Sequence, residues 1–315
     1  MQRYNLQRYN LQRYNLQRYN YLEAASFVPA YGPRERLLTY GTFGGLPGHL
    51  ATVDPGRDFT ANAIAQLLEP TARLFDEAQH VLDGFHGESE VHYSILAAIA
   101  RGENTWKGIT RRTGKGSGSL SRPLQWLIDM ELVRREVPIT VDRPDRTRRA
   151  VYRLADPHLS FWFRLVSPLI QSGTALVVPP AEVWATHIEP KLDEHMGGVL
   201  EEVALSFVRR GEGLPFRPHR VGRWWATAPD DEVDVVAIGP DGELLVGECK
   251  WGAVTATHVE ALRRRGRRIT TELGGSRGIS HAVFTGRPVE DAAVRAAIAA
   301  GEVLHFDLAA LFGAD

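Results

Sequence analysis

EVDVVAIGPDGELLVGECKW, residues 232–251, holds two apolar runs around a Gly-Pro-Asp-Gly turn. Pro240 presets φ, and Gly242 supplies the positive φ of a type I turn closed by a glycine bulge. The stretch therefore predicts a β-hairpin with a three-residue loop that pairs Gly239 with Glu243. Counting outward puts Asp234 opposite Glu248 and Glu232 opposite Lys250. Side chains two apart share a face. Glu232, Asp234, Glu248 and Lys250 are thus expected on one face, at one end of the hairpin. Val233, Val235, Leu245 and Cys249 are expected on the other, in a core. Cys249, the only cysteine, reads as a small buried hydrophobe.

Two carboxylates facing each other repel unless positive charge lies between them. A hard cation such as Mg²⁺, with Mn²⁺ as substitute, takes carboxylate oxygens and leaves positions for substrate phosphates. Lys250 beside such a cation can orient or deprotonate a water, or stabilise charge on a phosphate. The alternative is a solvated face on which Asp234 or Glu232 simply pairs with Lys250.

D-x(13)-E-x-K on a hairpin, preceded by a helix bearing a glutamate, resembles the PD-(D/E)XK nuclease superfamily. Here that helix is GGVLEEVALSFV. The resemblance implies Glu201, Asp234 and Glu248 as metal ligands, and Asp234, Glu248 and Lys250 as the catalytic set. Glu202 is the alternative to Glu201, and spacing does not choose between them.

Downstream, a charged helix (Val254–Thr270), a strand (His281–Phe284), a helix (Val289–Ala300) and a last strand (Val303–Phe306) complete an α/β domain over 195–315. Upstream, VHYSILAAIARGE, TWKGITRRTG and SGSLSRPLQWLIDMELVRRE predict three helices, with Thr105 as a cap, Gly114 as a stop and Pro123 in the first turn of the third. LVRREVPIT and RRAVYRL then alternate as a two-stranded ribbon. Three helices plus a ribbon, over 86–170, is a winged-helix layout. Arg111, Arg112, Lys115, Ser119, Ser121, Arg122 and Gln125 are its candidate DNA contacts, with Arg143, Arg146, Arg148 and Arg149 in the wing. A protein-docking winged helix is the competing reading. Pro179-Pro180 reads as a linker or a helix start, and 171–194 is taken as a linker. Residues 21–85 read as compact helices, including Asp58–Leu68 and Ala72–Leu82. Residues 1–20 repeat a basic-aromatic pentapeptide of no helical or strand period and read as disordered. The expected class is therefore α+β and multidomain: a helical segment, a winged helix-turn-helix and an α/β restriction-endonuclease-like domain.

Composition bounds the rest. The chain has 315 residues, 43% hydrophobic and 24% charged, with net charge −1. These values fit a globular protein and argue for neither nucleic acid nor membrane as partner. One cysteine excludes an intrachain disulfide. Apolar runs are too short to span a bilayer, no signal-peptide core is present, and a cytoplasmic location is expected. Trp224-Trp225 reads as core rather than as a base-stacking pair. RRRGRR, residues 263–268, is either a phosphate-binding patch or a solvated helix face.

YGPRERLLTYGTFGGLPGHL, YRLADPHLSFWFRLV, VGRWW and DEVDVVAI…LLVGECKW, in this order, resemble the prokaryotic AAA-like ATPases that end in a DUF234 domain. The similarity runs from about residue 22 to the end. It implies a helical ATPase-lid remnant over 21–85, then a winged helix, then a nuclease-like domain. The phosphate-binding pattern G-x-x-x-x-G-K-[ST] is missing; Gly114-Lys115-Gly116 lacks its spacing and its hydroxyl. No ATP site is expected in this chain, which looks like the C-terminal part of a family member whose core is lost or separately encoded. Expected partners are DNA and a protein, the latter including such an ATPase core. The resemblance leaves three readings: a Mg²⁺-dependent nuclease, a catalytically silent DNA- or protein-binding module, and a degraded gene product.

Overall fold

The computed structural model describes residues 18–77, 89–226 and 231–313. The pentapeptide repeat up to residue 17, and residues 78–82 of the expected helix Ala72–Leu82, lie outside the described residues.

The first half is helical. Asn20 caps Tyr21–Ala25 in a capping box with Glu23. Helix α1 (Pro33–Phe43) follows, with proline in its first turn where no N–H is needed. Phe59–Leu67 is capped by Asp58. Helices α2 (Ser89–Ala100), α3 (Trp106–Thr113) and α4 (Ser117–Asp129) come next. Thr105 accepts from Gly108 N at 3.0 Å and caps α3, and Gly114 ends it at φ 65°. Helix α4 starts earlier than the sequence suggests, so Pro123 stands inside it rather than in its first turn. One intrahelical bond is given up there, while Leu120, Leu124 and Leu127 still form a buried stripe.

Strands β1 (Val133–Glu136) and β2 (Val151–Leu154) pair antiparallel, with Val133 opposite Leu154. Residues 171–194, expected as a linker, are helical turns instead. Val183, Trp184 and Ile188 from them are buried in the first core. They lead without a break into α5 (Glu189–Arg210), eight residues longer at its start than GGVLEEVALSFV alone implies.

The second half is a mixed five-stranded sheet, ordered β3 (Arg220–Trp225), β4 (Glu232–Ile238), β5 (Glu243–Lys250), β6 (Gly278–Thr285), β7 (Leu304–Asp307). Strands β3 to β5 are antiparallel and β5 to β7 parallel. The parallel step from β5 to β6 needs a crossover, supplied by α6 (Ala256–Glu272). Helix α7 (Ala292–Ala299) makes the second crossover. Helix α5 covers one face, packing Val199, Val203 and Phe207 on Val235, Leu245, Cys249 and Phe284. Helix α6 covers the other, packing Leu262 and Ile269 on Val236, Leu244 and Val246. The chain is thus α+β.

The ribbon loop between β1 and β2 closes the open edge of this sheet. Ile139 donates its N–H to Arg223 O at 2.8 Å, as an added strand would. Its side chain is buried with Trp224 and Val233, worth about 2 kcal/mol. An otherwise unpaired edge is covered in this way.

Candidate functional site

The turn has the geometry its sequence demands. Gly242 sits at φ 84°, and Gly239 N–H donates to Glu243 O at 2.9 Å. The ladder then runs from Ile238↔Leu244 to Val235↔Gly247, the register read from GPDG. Gly247 is required by close packing: a Cβ there would stand 2.8 Å from the Phe284 ring.

Beyond Val235 the strand departs from simple alternation. Gly222 pairs with Val236 and Trp224 with Val233, so Asp234 and Val235 together face Arg223 alone. This β-bulge turns the start of β4 over. Val233, expected beside Val235, joins Trp224 and Val236 on the α6 face. Glu232, expected beside Asp234, is exposed. Asp234 is the bulged residue, and its Oδ2 accepts the Cys249 N–H at 2.8 Å.

Asp234 and Glu248 are buried. Burial, Glu201 and Glu248 push the Asp234 carboxyl well above the usual range, against the Cys249 N–H and Lys250. Burial also raises Glu201, and Arg223, 3.4 Å away, offsets only part of that. Lys250 Nζ lies 2.7 Å from Glu248 Oε1. Burial works against its charge, but Glu248 and Asp234 outweigh burial and its pKa rises. Arg265 of α6 reaches Glu248 at 3.6 Å while also pairing with Asp231 at 3.2 Å. Cys249 faces α5, fully packed, and burial pushes its thiol up.

Among the described residues no group of three or more His, Cys, Asp or Glu side chains is arranged to hold a metal ion as it stands. Glu201 is turned to Arg223, and Glu248 to Lys250 and Arg265. The donor chemistry nevertheless suits a hard cation. All three are carboxylates, and Glu201 and Glu248 both raise Asp234.

A second ion cluster adjoins the first. Arg223, 5% exposed, meets Glu202 at 2.8 Å and Glu136 of the ribbon at 3.0 Å. Arg134 meets Glu202 at 2.7 Å, and Arg153 meets Glu136 at 3.1 Å. Burial would raise Glu202, but Arg223 and Arg134 overcome it and hold its carboxyl at about 2. Arg223 carries no recognisable sequence signal beyond its place in VGRWW.

The expected DNA contacts fall into two groups. Arg111, Arg112, Lys115, Ser119, Ser121, Arg122 and Gln125 are all exposed on α3, α4 and their turn. Arg111 is tied to Glu103 at 2.8 Å and Gln125 to Asp129 at 2.8 Å. In the ribbon loop, Arg143, Arg146 and Arg148 are exposed, but Arg149 turns inward to the Trp225 carbonyl. Trp225 Nε1 answers by donating to Arg149 O at 3.1 Å. Trp224 is fully buried. In RRRGRR, Arg263, Arg265 and Arg268 pair with carboxylates, while Arg264 and Arg267 are exposed.

Residues 162–262 match the DUF234 family model, described as archaeal and bacterial proteins of unknown function. The matched segment includes Glu201, Asp234, Glu248 and Lys250. The uncharacterized protein MJECL04 of Methanocaldococcus jannaschii is 26% identical over 243 residues, covering 76% of this chain and 53% of that protein. The chain thus spans about half the length of this curated relative. The crystal structure of protein VC1899 from Vibrio cholerae overlaps 79% of this chain and 58% of that one, at 12% identity and a TM-score of 0.29. That score is too low to inform the fold. No helix among the described residues is long and apolar enough to cross a membrane.

Proposed function

We propose that the end of the β4–β5 hairpin is a divalent-metal-dependent phosphodiesterase site acting on DNA, in a nuclease-like domain served by a winged helix over α2–α4 and the ribbon. One observation carries this reading: Asp234 is buried and bulged out of its ladder, between carboxylates that raise it, with the Lys250 ammonium alongside. Such an excess of buried negative charge costs stability unless a cation joins it, and pKa values shifted by burial and like charge cluster at functional sites.

Asp234 and Glu248 would hold Mg²⁺ or Mn²⁺, with Glu201 as the third carboxylate, once Glu248 eases away from Lys250. The bound cation supplies a polarised water and neutralises phosphate charge. Lys250 keeps its proton, since its pKa is raised. Its role is therefore to orient water and stabilise charge on the phosphate, not to act as the base. The Asp234 side chain is fixed by the Cys249 N–H. Arg264 and Arg267, exposed on the helix whose Arg265 reaches Glu248, support a path for the DNA backbone toward the site. The exposed residues of α3 and α4 would hold the duplex. No ATP hydrolysis is assigned to this chain, and a separately encoded ATPase core is a proposed partner.

The competing reading, a catalytically silent DNA- or protein-binding module, draws support from the contact between Glu201 and Arg223. Cleavage of supercoiled plasmid and single-stranded DNA separates the two. Wild type with Mg²⁺ or Mn²⁺ should cut; Asp234→Asn and Lys250→Ala should not. Retention of DNA without cutting by any of the three would leave the silent module.

A further inference from the structure

A cavity of about 530 Å³ lies between α1, the ribbon and α5, within the size range of small-ligand pockets. It is distinct from the carboxylate end of the hairpin. Five arginines line it, Arg101, Arg134, Arg153, Arg164 and Arg209, against the carboxylates Asp156, Glu194 and Glu202. Cations therefore outnumber anions by two (five less three).

Arg134, Arg153 and Arg164 each have a carboxylate partner. The side chains of Arg101 and Arg209 are exposed and make neither a hydrogen bond nor an ion pair with a described residue. Arg209 stands in the positive field of Arg134 and Arg223, and burial together with these neighbours lowers its pKa despite Glu202. The Nε of Arg134 is buried without a hydrogen-bond partner. Like charges held together with free donors form a site for an anion. The remaining wall carries Tyr40, Tyr152, Ile99 and Leu154 together with the polar side chains of Asn104, Ser160, His195 and Ser206. The Tyr40 hydroxyl also makes no hydrogen bond to a described residue.

We infer that this cavity binds a mononucleotide, with phosphate at Arg101 and Arg209 and the base between the tyrosine-bearing walls. Aromatic rings accept any base by stacking, and arginine forks match phosphate oxygens. The inference does not depend on hydrolysis at the hairpin.

Calorimetric titration of the full chain with 5′-AMP, and with inorganic phosphate, tests it. The expected result is one site for 5′-AMP, at least about tenfold tighter than phosphate. Arg101→Gln and Arg209→Gln should each weaken it about tenfold, the loss of one charge-assisted contact. Neither arginine supports a folded contact, so both variants should keep the wild-type melting temperature. Arg277→Gln, outside the cavity, should bind as wild type. No binding of 5′-AMP, equal affinity for phosphate alone, or full affinity in the Arg101→Gln/Arg209→Gln double variant would each overturn the inference.

Discussion

Glu201 and Glu202 are neighbours on α5, yet they belong to ion clusters of opposite character. Glu202 shares Arg223 and Arg134 with Glu136, and these cations hold its carboxyl at about 2. Glu201 touches Arg223 but also raises Asp234 on the other side, and burial pushes its own carboxyl up. The first cluster sets Arg134, Arg153 and Arg223 against Glu136 and Glu202, and it joins three parts of the fold: the ribbon, α5 and β3. The second is short of positive charge. Charge balance separates a structural ion cluster from one that awaits a ligand. Burial alone does not separate them, since both sit under the same helix.

The largest effect should come from breaking the arginine-rich cluster. Arg223→Met leaves Glu136 and Glu202 without their shared cation and should cost roughly 3–5 kcal/mol of stability, read from urea unfolding. A cost under about 1 kcal/mol would mean the cluster is not what fastens the ribbon to the sheet.

Glu202→Gln should cost less, about 1.5–3 kcal/mol, the range for a charge-assisted hydrogen bond. Its pH dependence has a definite sign. The folded carboxyl lies at about 2 against an ordinary 4.5, so its contribution is present above 4.5 and is lost as pH falls toward 2. The wild type should therefore lose more stability across that window than Glu202→Gln does.

Asp234→Asn should go the other way. It removes charge from the cluster that has too much, and it keeps an oxygen for the Cys249 N–H. Without metal it should gain roughly 1 kcal/mol, seen as a rise of about 2–4 °C in melting temperature, while abolishing cleavage. A loss of stability would place Asp234 among the structural residues.

The smallest effect is the response to metal. Asp234 and Glu201 are raised, so their stabilising contribution is full below the ordinary carboxylate pKa and falls away as pH rises through their folded values. Mn²⁺ must displace their protons, so its gain in melting temperature should be larger at pH 8 than at pH 6, by a degree or two at order of magnitude. No pH dependence would separate the cation from these carboxylates.

Much of this site was legible in the sequence. Pro240 and Gly242 specify the turn, the turn specifies the register, and the register brings Asp234 to Glu248. Thr105 and Gly114 likewise bound α3 by local chemistry alone. The bulge was not legible, because it arises from pairing with β3, a strand that local periodicity cannot register against β4. It moved Val233 and Glu232 off their expected faces. Arg223 was invisible for a related reason: its partner Glu136 lies 87 residues away. Local spacing also could not show that Arg223 and Arg134 both approach Glu202, since they lie in other strands. Pro179-Pro180 left a linker and a helix start open, and Pro180 does open a helical turn, whose burial of Trp184 and Ile188 depends on distant residues.

Calorimetric titration with Mn²⁺ at pH 7.5, in two buffers of different protonation enthalpy, tests the charge deficit at the hairpin most directly. The wild type should bind one ion or a close pair and release protons, Asp234→Asn should bind far more weakly, and Glu202→Gln should bind as wild type. No binding by wild type, or equal binding by Asp234→Asn, would contradict a metal site at the end of β4 and β5.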